Sequence, residues 1–139
     1  MSSGSGKELV GIVLVSHSAA VARAVAELAR GLAGGGDLAP IASAGGTPDG
    51  GLGTSSELIR AAAESVDRGA GVAILVDLGS AVLTVKALLA EGDELPEGTR
   101  LADAPFVEGA VAALVTASAG GCIDAVTAAA SEAYVYRKE

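Results

Sequence analysis

Residues 9–32 read LVGIVLVSHSAAVARAVAELARGL, and this stretch decides the fold. Leu9 to Val15 is a continuous apolar run rich in β-branched residues, the signature of a strand covered on both faces. It stops at Ser16-His17-Ser18. From Ala19 to Leu32 the apolar positions Val21, Val25, Leu28 and Leu32 recur every three or four residues, as on one face of a helix, and Gly34 to Gly36 end the pattern. A buried strand running into a helix through a short polar turn is the opening unit of a layered α/β fold.

The rest of the chain repeats that unit. Leu38 to Ala42 reads as a weaker strand, and Gly45 to Gly53 as a glycine-rich loop containing Thr47-Pro48-Asp49. Thr54 or Ser55 caps a helix running to about Arg68, with Glu57 in its first turn suiting the helix dipole. Val72 to Val76 is a second buried strand, closed by Asp77-Leu78-Gly79-Ser80, and a helix follows from about Ser80 to Ala90. After a polar turn at Gly92 to Gly98, Thr99 to Ala102 makes a short strand. Pro105 is then expected at the first position of a helix over Phe106 to Ala119. Gly120-Gly121 breaks it, and Ile123 to Ala133 reads as the last helix before a polar tail at 134–139. Four strand–helix alternations call for an open, mainly parallel four-stranded sheet with helices on both faces. Reactive groups in such sheets collect beyond the carboxyl ends of the strands. His17 and Asp77 both stand at such ends.

Composition sets the bounds. With 139 residues, half of them apolar, the chain has room for one domain and a core that needs neither disulfide nor metal. The aromatic residues are only Phe106, Tyr134 and Tyr136, so the core is built from Ala, Val, Leu and Ile. The single cysteine, Cys122, reads as a packing residue, and with no asparagine for glycosylation a reducing, cytoplasmic setting is expected. No apolar run is long enough to span a bilayer. Residues 1–6, Met-Ser-Ser-Gly-Ser-Gly, read as an added leader, leaving one domain over 7–133. A formal net charge of −8 argues against nucleic acid and anionic membranes as partners.

His17 is the only histidine. Following a strand and preceding a helix, it presents a ring nitrogen beside unpaired backbone amides of the kind that receive phosphate. Asp77 is the best candidate for a carboxylate that orients the ring, provided its strand neighbours the first, as in flavodoxin-like winding. Each also has a plainer reading, as an ordinary loop residue. Ser16 and Ser18 read first as turn and N-cap residues. Gly79-Ser80 offers a second set of helix N-terminal amides or a plain tight turn, and Gly50 to Thr54 either closes over the site as a flap or merely connects. Neither a Gly-x-Gly-x-x-Gly after the first strand nor a Gly-x-x-x-x-Gly-Lys-Ser/Thr occurs, no Gly-x-Ser-x-Gly elbow accompanies the histidine, and no cofactor or metal is called for.

Val13-Leu14-Val15-Ser16-His17-Ser18, Asp77-Leu78-Gly79-Ser80-Ala81 and Ala104-Pro105-Phe106-Val107-Glu108-Gly109 occur in this order. Together, over about Glu8 to Ala133, they resemble the phosphotransfer subunits of phosphoenolpyruvate-dependent dihydroxyacetone kinases, relatives of mannose-type enzyme IIA domains. The resemblance implies a mannose-type enzyme IIA fold and a phosphohistidine at Nε2 of His17, with Asp77 hydrogen-bonded to Nδ1. Ser18, Gly79, Ser80 and the Gly53-Thr54 segment would border the phosphoryl group. It implies charging by the phosphocarrier protein HPr, discharge onto ADP held by the kinase's nucleotide-binding subunit, and a homodimer. Ser55 departs from the acidic residue some members carry after Gly-Thr. A sugar-permease enzyme IIA and a non-catalytic flavodoxin-like binding module are the alternative readings.

Overall fold

A computed structural model describes residues 8–139; the leader expected over 1–6 lies outside them. The chain alternates as β1 (Gly11–Ser16), α1 (Ala19–Leu32), β2 (Ile41–Gly45), α2 (Ser56–Val66), β3 (Val72–Val76), α3 (Gly79–Ala90), β4 (Thr99–Leu101), α4 (Phe106–Ser118) and α5 (Ile123–Glu132), with a 3₁₀ turn over Ala133–Val135. The four strands form one sheet in the order β2-β1-β3-β4, parallel throughout, as the sequence pattern requires.

Alternation of side chains along β1 and β3 divides the core in two. Ile12, Leu14, Ala73 and Leu75 point to a layer made by α1, α4 and α5, where they meet Val25, Ala29, Leu114, Val126 and Ala130. Val13, Val15, Val72 and Ile74 point the other way, to Ile59, Ala63, Val66, Val85 and Leu88 of α2 and α3. With so many alanines on the inner helix faces, helices and sheet approach closely. β1 and β3 are covered on both faces, which explains their unbroken apolar runs. Among the described residues no helix is long and apolar enough to cross a membrane.

Several boundaries differ from the sequence reading. β2 starts three residues later than expected, at Ile41. Ala39 is buried, and its amide donates to Ser118 Oγ of α4 at 2.9 Å instead of joining the ladder. Pro40 contributes only its carbonyl, which accepts from the Ile12 amide at 2.9 Å. Pro105 is the N-cap of α4 rather than its first residue, because its carbonyl accepts the first helical bond, from the Gly109 amide at 2.8 Å. α2 ends at Val66, short of Arg68. Cys122 is exposed at the N-cap of α5 and does not pack in the core. The polar tail is tied down in part: Tyr134 Oη donates to Asp103 Oδ1 at 2.9 Å, and Lys138 pairs with Glu108.

Gly45 extends β2 into what the sequence reads as loop, because the strand end must pass against the start of α1. A Cβ there would stand 2.5 Å from the Ser18 carbonyl oxygen and 2.7 Å from Ala19 Cα, both backbone atoms. Gly45→Ala is therefore expected to lower the unfolding free energy by about 1–3 kcal/mol through overpacking. A shift of the urea midpoint at unchanged m-value measures it, and an unmoved midpoint would mean that the turn has slack.

Candidate functional site

β1 and β3 are direct neighbours, with Val15 opposite Val76, so the residues leaving their carboxyl ends meet. The Asp77 amide donates to the Val15 carbonyl at 3.1 Å, carrying the pairing one residue past the strand. This places the Asp77 carboxylate under the turn that bears His17. Its Oδ1 lies 3.0 Å from His17 Nδ1. Its Oδ2 accepts from the His17 amide at 3.1 Å and from Ser16 Oγ at 2.8 Å. Ser16, which the sequence reads as a turn residue, is 1% exposed; its hydroxyl also accepts from the Ser18 amide at 3.0 Å, cross-bracing the turn.

Burial pushes the Asp77 carboxyl upward, but the His17 amide, the Ser16 hydroxyl and the His17 ring outweigh it. They hold its pKa below the usual carboxylate value. The group is therefore an anion at neutral pH. A carboxylate can only accept, so Nδ1 carries a proton, and in the neutral ring Nε2 holds the lone pair. The imidazole is 24% exposed and Asp77 17% exposed, so the pair sits at the surface while its orientation is fixed from below.

Nε2 points toward α3. Ser80, in the first turn of that helix, places its hydroxyl against Nε2, where it donates to the lone pair of the neutral ring. The N-cap, Leu78, makes no side-chain cap bond, so the amides of Gly79 and Ser80 lack an intrahelical acceptor and form the positive end of the helix. A nucleophilic nitrogen beside orphan amides is an arrangement for receiving an anionic group such as phosphoryl.

Other site candidates fall around this centre in different ways. Ser18 Oγ accepts from the Val21 amide at 3.2 Å and caps α1, so its side chain is already engaged. Gly53 touches His17 through its backbone: its amide donates to the His17 carbonyl at 2.9 Å. With φ at +141°, that contact requires glycine. Thr54 faces α3, its hydroxyl 3.1 Å from Thr84 Oγ1. Ser55, not Thr54, caps α2. A cavity of about 980 Å³ opens nearby between α3 and β4, and Asp77, Leu78 and Gly79 line its near wall, while His17 and Ser80 stand outside it. Among the described residues no cluster of three or more His, Cys, Asp or Glu side chains could hold a metal ion.

Comparison with known proteins adds to the geometry. The profile of the EIIA-man family, described as PTS system fructose IIA component, matches residues 11–127. The phosphoryl donor subunit DhaM of the PEP-dependent dihydroxyacetone kinase of Escherichia coli is 37% identical over 134 residues, covering 94% of this chain and 28% of the relative. The same subunit from Pantoea ananatis is 40% identical over 121 residues, covering 85% and 25%. The phosphoryl donor subunit DhaM of PEP-dependent dihydroxyacetone kinase 2 of Listeria innocua is 39% identical over 108 residues, covering 77% and 85%. The chain thus spans about a quarter of the first two relatives and most of the third. A crystal structure described as that of a protein of unknown function superposes with a TM-score of 0.74 at 30% identity, covering 89% of this chain and 94% of that one.

Proposed function

The chain belongs to the EIIA-man family, the PTS system fructose IIA components, and from its likeness to the DhaM phosphoryl donor subunits we propose that it is the phosphocarrier of a phosphoenolpyruvate-dependent dihydroxyacetone kinase. The observation that carries the proposal is the His17 imidazole, held through Nδ1 by Asp77 and directed through Nε2 at the amino end of α3.

In the first half-reaction a phosphohistidine of HPr approaches Nε2 in line. The P–N bond to the donor breaks as the P–Nε2 bond forms, and Ser80 Oγ moves off the lone pair to donate to a phosphoryl oxygen. His17 already holds a proton on Nδ1, so the product ring is cationic without any proton transfer, and the Asp77 carboxylate stabilises that charge. The Gly79 and Ser80 amides offset the charge on the phosphoryl oxygens. In the second half-reaction a β-phosphate oxygen of ADP, held by the nucleotide-binding subunit, attacks phosphorus. The P–Nε2 bond breaks, ATP forms, and neutral His17 is restored. The position of His17 outside the neighbouring cavity suits this exchange, since each partner must bring its own pocket to the ring. The proposal includes a homodimer acting in the cytoplasm, with dihydroxyacetone as the final phosphoryl acceptor on a separate subunit.

The acceptor is the discriminating step, because the phosphohistidine chemistry is common to sugar-permease carriers. Phosphorylated chain mixed with the kinase nucleotide-binding subunit, ADP and magnesium is expected to lose its phosphoryl group and yield ATP. Free ADP and magnesium should be a poor substitute, with nothing to hold the nucleotide against a chain of net charge −8. Transfer to a mannose-type enzyme IIB, with none to the ADP-loaded subunit, would overturn the kinase assignment.

A further inference from the structure

A set of hydrogen bonds starts and ends on His17. The loop between β2 and α2 is anchored at both ends to the nucleophile's turn, Gly46 N donating to the Ser16 carbonyl at 3.2 Å and Gly53 N to the His17 carbonyl at 2.9 Å. Between those anchors the loop is braced by Thr47: its carbonyl accepts from Gly50 N at 2.9 Å, its amide donates to the Gly51 carbonyl at 2.9 Å, and its Oγ1 accepts from Gly51 N at 3.0 Å. The residue after Gly53 is Thr54, whose Oγ1 lies 3.1 Å from Thr84 Oγ1 on α3. Thr84 Oγ1 in turn donates to the Ser80 carbonyl at 3.4 Å, one helical turn back. Ser80 Oγ completes the circuit at His17 Nε2.

Thr84 bonds both the Ser80 carbonyl and the Thr54 hydroxyl; when its one proton goes to the carbonyl, its oxygen accepts from Thr54. It thereby joins the loop that grips the His17 backbone to the helix turn that faces the His17 ring. Thr84 makes no hydrogen bond to His17; its partners are Thr54 and the Ser80 carbonyl.

We propose that Thr84 is a positioning residue that fixes the spacing between the Gly53-Thr54 segment and the first turn of α3 across the His17 imidazole. When the P–Nε2 bond forms and Ser80 Oγ leaves the lone pair, the Thr54–Thr84 bond persists and keeps the Gly79 and Ser80 amides at the phosphoryl group. An ordinary threonine on a helix also bonds the carbonyl four residues back, but it has no partner on a second element. The bond to Thr54 separates the two roles.

The test compares Thr84→Val, which keeps the branched shape and removes the hydroxyl, with Thr84→Ser, which keeps the hydroxyl. Two readouts are taken: the ¹⁵N shift of His17 Nε2 in the unphosphorylated chain, and the rate of phosphorylation at saturating phospho-HPr. Thr84→Val is expected to move the Nε2 resonance toward that of a free lone pair and to slow kcat about five- to tenfold at nearly unchanged KM, the worth of one hydrogen bond. Thr84→Ser should restore both. An unmoved Nε2 resonance in Thr84→Val, or a Thr84→Ser chain that behaves like Thr84→Val, would overturn the proposal. Only the rate arm rests on the phosphocarrier reading: if the parent chain is never phosphorylated that reading falls, and the imidazole shift still decides for or against Thr84.

Discussion

His17→Ala is expected to accept no phosphoryl group while unfolding close to the parent midpoint. The effect on function is complete because no other histidine exists to take over. The effect on the fold is small because the ring is partly exposed at a strand end, and Asp77 Oδ2 keeps its bonds to the residue-17 amide and to Ser16 Oγ. The ring's bonds at Nδ1 and Nε2 are lost, both at the partly exposed surface, at a cost of about 1 kcal/mol. Intact mass and chemical denaturation on the same sample measure the two effects. Phosphorylation that persists in His17→Ala would assign the chemistry elsewhere.

Asp77→Ala has the next largest expected effect. The nucleophile remains and Ser80 still meets Nε2, but no carboxylate fixes the tautomer, holds the ring through Nδ1 or balances the cation that forms. Transfer in both directions should slow about a hundredfold or more, the usual contribution of such a group. The stability cost exceeds that of His17→Ala, about 1–3 kcal/mol, because the Ser16 hydroxyl, in a residue 1% exposed, loses its acceptor. Stopped-flow transfer rates from phospho-HPr, set beside the denaturant midpoint, check both numbers. Rates equal to the parent's in both directions would make Asp77 a structural residue of the turn.

The parts of the fold visible in the sequence are those where burial acts on consecutive residues. β3 is legible residue for residue because both of its faces are covered, and α1 because its period is unbroken between Ser18 and the glycines. β2 is not. Its apolar neighbours Leu38 and Ala39 imitate a strand, but the Ala39 amide is bonded to Ser118, far away in sequence, and only the pairing of Ile12 with Ile41 sets the start. The close approach of Gly45 to Ser18 and Ala19 is likewise a tertiary fact with no local signal.

Site legibility follows the same division. His17 stands out by being alone, and Asp77 by its place after a buried strand. Their meeting depends on β1 and β3 being adjacent, which the winding order decides. Ser16 reads as a turn residue because its bond to Asp77 crosses that same pairing. Thr84 carries no signal at all: a threonine in mid-helix becomes part of the site only when the loop before α2 folds against it. A capping box or a metal motif can be read from spacing, whereas a hydrogen-bonded circuit through three segments cannot.

If His17 carries the phosphoryl group, the intact mass of the full chain rises by one phosphoryl group on incubation with phosphoenolpyruvate, enzyme I and HPr. The gain is expected to be lost on acidification, stable in alkali, and absent from His17→Ala treated in parallel. No gain under conditions that phosphorylate HPr, or an acid-stable gain shared by His17→Ala, would contradict the His17 assignment.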